Sequence, residues 1–151
     1  MIKSNIGHVV YNINPANAGF YRDLMTFMGW SPIFEQEGIL GVADKKGASL
    51  WFMGMAKAVN NDYDGPGVNH LAFSVPMQSD VDAAVKYLAA AGVNPLFDTP
   101  RHRPEFSRSA EDTYYQVMFE SPDRILFEIV YTGPKASKAA VGRPVVTTAD
   151  E

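Results

Sequence analysis

An internal repeat is the feature that most constrains this chain. The segment Ile6-Gly7-His8-Val9-Val10-Tyr11-Asn12-Ile13 lies over Val68-Asn69-His70-Leu71-Ala72-Phe73-Ser74-Val75 at an offset of 62. Both copies begin apolar, carry histidine third and end apolar. Further on, Gly29-Trp30-Ser31-Pro32-Ile33-Phe34-Glu35 lies over Gly92-Val93-Asn94-Pro95-Leu96-Phe97-Asp98 at an offset of 63, with glycine, proline, phenylalanine and an acid coinciding. Repetition on this scale marks one supersecondary unit used twice, each copy needing a partner to cover its apolar face.

The stretch between these anchors has helical periodicity in both copies. Over Ala16 to Met28, Phe20, Leu24 and Phe27 stand at i, i+4 and i+7; over Ser79 to Ala91, Val81, Val85 and Leu88 do the same. Ser79 or Asp80 is the expected N-cap of the second helix, and Gly29 and Gly92 fall where helices end. Each copy then closes with a hairpin: 38–43, turn 44–47 and 48–53 in the first, and 114–120, turn 121–124 and 125–131 in the second. Each half therefore reads strand, helix, strand, strand, strand, an α+β chain of two tandem βαβββ modules at about 5–54 and 68–131. Residues 1–131 form one domain, with 56–67 as linker, and 132–151 are a C-terminal extension expected to be extended or disordered.

The hairpins align at an offset of 77 rather than 63, so the second copy carries 14 additional residues, within about 98–113. This polar, proline-containing insertion is a candidate lid or binding loop, with a solvated surface loop as the alternative.

Composition narrows the chemistry. The 151 residues include no cysteine, which removes thiol nucleophiles, redox pairs and thiolate metal sites, so a metal would be held by His, Asp or Glu. The formal charge of −4 and the lack of a cationic run argue against nucleic acid as a partner. No apolar stretch approaches the ~20 residues of a bilayer span, and the N-terminus lacks the pattern of a secretion signal, so a cytoplasmic address is expected.

Two of the three histidines, His8 and His70, occupy matching positions of the repeat. In the closing strand, Glu128 is the sole acid between Ile125 and Tyr131. A buried carboxylate needs a partner, and a metal ion is a good one; the alternative is a Glu that points to water. Together the three side chains have the makeup of a 2-His-1-carboxylate site for one divalent ion, Fe, Mn, Ni, Co or Zn, with open positions for substrate or water. The residue matching Glu128 at an offset of 77 is Trp51, which cannot ligate, so the site is open rather than closed.

Strand alternation puts Val10, Asn12, Trp51, Met53, Ala72, Ser74, Leu126 and Val130 on the same faces as these ligands. The walls are mainly apolar, with Asn12 and Ser74 as orienting groups, which suits a small organic or aromatic substrate. Tyr114 and Tyr115 are candidate phenol donors, with strand packing as the alternative role. On the insertion, Arg101, His102, Arg103 and Arg108 are candidates to clamp a substrate anion, against the alternative that Glu105, Glu111 and Asp112 neutralise them.

The duplicated halves, GVNHLAFSV opening the second, VDAAVKYLAAAGV as its helix and YYQVMFESPDRILFEIVY as its closing hairpin resemble the vicinal oxygen chelate superfamily, the glyoxalase, bleomycin-resistance and extradiol dioxygenase group. The resemblance covers about residues 5–131. It implies a curved mixed sheet around a central cavity, a homodimer, and metal ligands carried over onto His8, His70 and Glu128. It also implies a metal-dependent lyase, isomerase or dioxygenase whose small-molecule substrate chelates the ion, or a metal-free binding protein of the bleomycin-resistance kind. Trp51 stands where glyoxalase I enzymes carry a further catalytic carboxylate, and Met118 and Arg124 depart from the extradiol pattern. The His, His, Glu set is the one shared by fosfomycin-resistance enzymes.

Overall fold

A computed structural model of the chain describes residues 1–136. The first module runs β1 (His8–Asn12), a 3-10 turn, α1 (Ala18–Phe27), β2 (Ser31–Gln36), β3 (Ile39–Ala43) and β4 (Ser49–Met53). The second runs β5 (Leu71–Ser74), α2 (Gln78–Ala90), β6 (Leu96–His102), a 3-10 turn, β7 (Asp112–Glu120) and β8 (Leu126–Pro134). Two four-stranded sheets result, ordered β1-β4-β3-β2 and β5-β8-β7-β6. The order is the same in both: first strand beside last, then third, then second. The repeat in sequence is thus a repeat in topology, and the α+β expectation holds.

In the first sheet β1 runs parallel to β4 and the other neighbours are antiparallel. A parallel neighbour cannot be reached by a tight turn, and α1 with the β2–β3 hairpin supplies the intervening chain. The described residues divide into two compact units, Met1–Leu71 with Phe119–Phe127, and Ala72–Met118 with the described chain from Glu128 on.

The core of the first unit is aromatic. Phe52, fully buried on β4, stacks on Tyr21 at 4.4 Å and on Tyr11 at 5.6 Å, and Phe127 meets Tyr11 and Tyr21 edge-on. The Tyr21 hydroxyl donates to Asp123 Oδ2 at 2.6 Å and lies 2.9 Å from Ser121 Oγ, while the Asn14 N–H donates to Asp123 Oδ1 at 2.8 Å. The 121–124 turn therefore satisfies a buried phenol that its own hairpin does not contain.

Burial, and after it the Asp123 carboxylate, hold the Tyr21 hydroxyl protonated well above the usual phenol range. An unfolded tyrosine ionises near pH ~10, so above that pH the unfolded chain binds fewer protons than the folded one and stability falls toward the folded-state value. Tyr21→Phe is expected to flatten this alkaline fall in urea midpoint between about pH 9 and 11, at a cost of about 1 kcal/mol near neutrality. An unchanged alkaline slope would place the responsible proton elsewhere.

Some local expectations need correction. The buried stripe of α1 is Tyr21, Leu24 and Met25, and Phe27 is 42% exposed, because the stripe turns one residue away from the spacing of Phe20, Leu24 and Phe27. On α2, Val81, Ala84 and Leu88 are buried and Val85 is half-buried. The N-cap of α2 is Met77 rather than Ser79 or Asp80; Asp80 acts from inside the first turn, accepting from the Met77 N–H at 3.0 Å.

Nor is the insertion a continuous loop. β6 extends to His102 and β7 begins at Asp112, so much of it lengthens a β-hairpin. The pairing slips by three residues between Leu96↔Met118 and Arg101↔Gln116, where Phe97 and Asp98 take left-handed φ of 57° and 54°. The three residues of this slip are accommodated as a bulge on β6. Strand β8 continues to Pro134, past the start of the extension expected from Thr132, because Lys135 N–H still finds Glu111 O at 2.9 Å; residues 137–151 lie outside the described residues.

Candidate metal and substrate site

On β1 the side chains alternate as the sequence pattern predicts. His8, Val10 and Asn12 are exposed, Val9 and Tyr11 are half-buried, and Ile13 is buried. The register sets His8 opposite Ser49, Val10 opposite Trp51 and Asn12 opposite Met53, so these six share one open face. Trp51 lies flat on Gly41, where a Cβ would come within 2.8 Å of the indole, and Phe34 packs against it at 5.9 Å. Its Nε1–H donates to Ser49 Oγ at 3.2 Å, which satisfies the polar edge and keeps the half-buried ring in the plane of the sheet face. Only glycine at 41 permits this placement.

His70 is exposed and immediately precedes β5, on which Ala72 and Ser74 are exposed and Phe73 is buried. Asn69 orients its ring. The Asn69 amide nitrogen donates to Tyr63 O at 3.0 Å, so its oxygen is the atom that faces His70 Nδ1 at 2.8 Å. An amide oxygen only accepts, so Nδ1 is the donor of this bond, and Nε2 is the ring nitrogen that a metal would take.

Glu128 is 2% exposed on β8. The Tyr114 hydroxyl donates to its Oε1 at 2.7 Å. Gln116, also buried, is oriented by its neighbours with the amide nitrogen 2.6 Å from the same Oε1 and the amide oxygen 3.2 Å from Arg103 Nη1. Burial, and then the nearby carboxylate, raise the Tyr114 hydroxyl above the ordinary phenol range, so it remains a proton donor at neutral pH.

The structure separates the paired candidates. Tyr115 faces Asp82, to which it donates at 2.8 Å, and burial followed by that bond pushes it up to about 12. Arg103 is engaged by Glu105 at 2.5 Å and lies over the Phe106 ring at 4.7 Å, while Arg101 is exposed on β6. His102 Nδ1 contacts Thr113 Oγ1 at 2.5 Å. Leu126 and Val130, expected on the cavity wall, are buried. Tyr114 also borders a cavity of about 400 Å³ with Phe106, Arg108 and Thr132, a volume in the range of small-molecule sites.

Gln116 and Asn69 were missed by sequence reasoning. Gln116 carried the same signal as Glu128, a polar residue inside a run that is otherwise apolar. Asn69 carried none, since its role depends on where Tyr63 O lies.

Each member of the His8, His70 and Glu128 set has ligating chemistry: an exposed imidazole, an imidazole that donates from Nδ1 to Asn69, and a carboxylate held by two donors on one oxygen. Among the described residues, no group of three or more His, Asp or Glu side chains that could hold an ion is found.

The profile of the Glyoxalase/Bleomycin resistance protein/Dioxygenase superfamily matches residues 6–129. The chain belongs to this superfamily. No curated protein matches it. Solved structures with the superfamily fold include a candidate glyoxalase from Bacillus halodurans, 23% identical with a TM-score of 0.69, covering 83% of this chain and 94% of that one. A glyoxalase/dioxygenase from Nostoc punctiforme is 17% identical with a TM-score of 0.66, over 85% and 91% of the two chains. FosX, the genomically encoded fosfomycin resistance protein of Listeria monocytogenes, solved with Mn(II) and sulfate, is 18% identical with a TM-score of 0.63, over 86% and 91%. The superfamily thus includes a metal-binding member. Among the described residues, no helix is long and apolar enough to cross a membrane.

Proposed function

We propose that this superfamily member is a divalent-metal enzyme, a lyase, isomerase or dioxygenase, acting on a small oxygen-bearing molecule, with His8, His70 and Glu128 as the protein ligands. The observation that carries the reading is the pair of His70 and Glu128, each oriented by a neighbouring amide. A bound divalent ion would supply Lewis acidity toward substrate oxygens, and FosX binds Mn(II). The chain's own groups do the rest. Asn69 holds the His70 proton on Nδ1, Tyr114 keeps a proton on its hydroxyl beside Glu128, and the Trp51 face with Val10 offers an apolar floor. Asn12 and Ser74 orient polar groups of the substrate, and Arg101 meets an anionic one. The working assembly is a homodimer, as the resemblance implies.

Elemental analysis of protein purified without chelator or histidine tag tests this. About one ion per chain is expected, lost in the His8→Ala, Glu128→Ala double variant. Mixing the two single variants distinguishes where the ligands come from: recovered metal binding means donors from two copies, and none means donors from one. A second reading has its own observation, that two donors already satisfy Glu128 Oε1 without an ion. No metal uptake after reconstitution with Mn(II), Fe(II), Ni(II), Co(II) and Zn(II) would leave a metal-free binding protein instead.

A further inference from the structure

Arg103 stands on the inserted segment, within the second unit, and meets Gln116 there. We infer that Arg103 is a positioning residue for Glu128, acting through the Gln116 amide, so that the insertion specific to the second module exists to fix the orientation of the site's carboxylate. This rests on the reading of Glu128 as a ligand for its function, though not for its geometry.

The path is a relay of three groups. Arg103 Nη1 lies 3.2 Å from the Gln116 amide oxygen, and the Gln116 amide nitrogen lies 2.6 Å from Glu128 Oε1. A cation at one end and an anion at the other align the amide dipole between them, which strengthens both bonds in a poorly solvated place. Arg103 is itself held on other sides. Its backbone N–H donates to Tyr114 O at 2.7 Å, and in the side chain Nε donates to Glu105 at 2.5 Å while the guanidinium covers Phe106. A side chain so constrained makes a poor clamp for an arriving substrate and a good abutment for a fixed one.

The consequence falls on one oxygen. Gln116 and Tyr114 both approach Oε1, so the carboxylate has a set rotation about its last bond. Without Arg103 the Gln116 amide has no reason to present its nitrogen rather than its oxygen to Glu128; turned over, it would set two acceptors face to face.

The test is a cycle of Arg103→Met, Gln116→Met and the double variant in the full chain, with Mn(II) affinity and the visible absorption of the Co(II) form as readouts. Each single variant is expected to weaken Mn(II) binding by about ten- to hundredfold and shift the Co(II) bands, and the double to do no more than either single. Unchanged affinity in Arg103→Met, or additive losses, would overturn the assignment. If the wild-type protein takes up no metal, the proposed function fails, and the positioning role is then decided on the metal-free chain by urea midpoints of Arg103→Met, Glu128→Gln and both. Non-additive losses support it and additive losses overturn it.

Discussion

Replacing Phe52 with alanine is expected to destabilise the protein by about 3–5 kcal/mol, the largest effect of any single change in the first unit. Phe52 is fully buried, and it is the ring on which Tyr21 from α1 and Tyr11 from β1 both stack. Its removal leaves a cavity bounded by elements that the β1-β4-β3 pairing holds in place, so little collapse can follow. The neighbouring Trp51, one residue away, points to the opposite face of the sheet, and its truncation should cost far less stability. Urea unfolding followed by circular dichroism measures both. A loss below about 1 kcal/mol for Phe52→Ala would mean that the aromatic stack is not the keystone of this unit.

The second large effect is at Glu128, where Leu and Gln should behave differently. Glu128→Leu strands the buried Gln116 amide nitrogen and the half-buried Tyr114 hydroxyl and is expected to cost about 2–4 kcal/mol. Glu128→Gln keeps an acceptor oxygen for both donors and should cost less than half as much, while a neutral amide in place of the charge weakens metal binding severely. The contrast separates fold from function at one position. Equal destabilisation by the two variants would show that the charge, not the acceptor geometry, holds this network together.

Much of the fold was legible in the chain because its evidence is local or repeated. The matched segments at His8 and His70, the two helical periods and the two hairpin turns each depend on residues within one or two turns of backbone, and strand alternation alone separated Val10 and Asn12 from Ile13. Where expectations slipped, a longer-range contact decided. Phe27 fits the helical spacing but is 42% exposed, because Tyr21 takes the buried stripe by bonding Asp123, more than a hundred residues on. The insertion is largely hairpin, since pairing of Arg101 with Gln116 and His102 with Tyr115 satisfies backbone groups that a solvated loop would leave to water.

The candidate site divides in the same way. The acid inside an apolar strand and the histidines at equivalent repeat positions were visible as residue types, because burying a carboxylate is costly enough to leave a mark on composition. Which oxygen of Glu128 is held, which nitrogen of His70 carries a proton, and which of Tyr114 and Tyr115 meets the acid are differences between atoms of one side chain or between adjacent residues. Such choices are made by partners about 3 Å away, and those partners are distant or unremarkable in the sequence. By itself, then, the sequence determined the duplicated α+β topology and the residue types available for chemistry, since both are written in periodicity and burial cost. Only the tertiary structure decided the hydrogen-bond partners, because a directional contact requires atoms from separate strands to arrive at one point, and no one-dimensional pattern records where they meet.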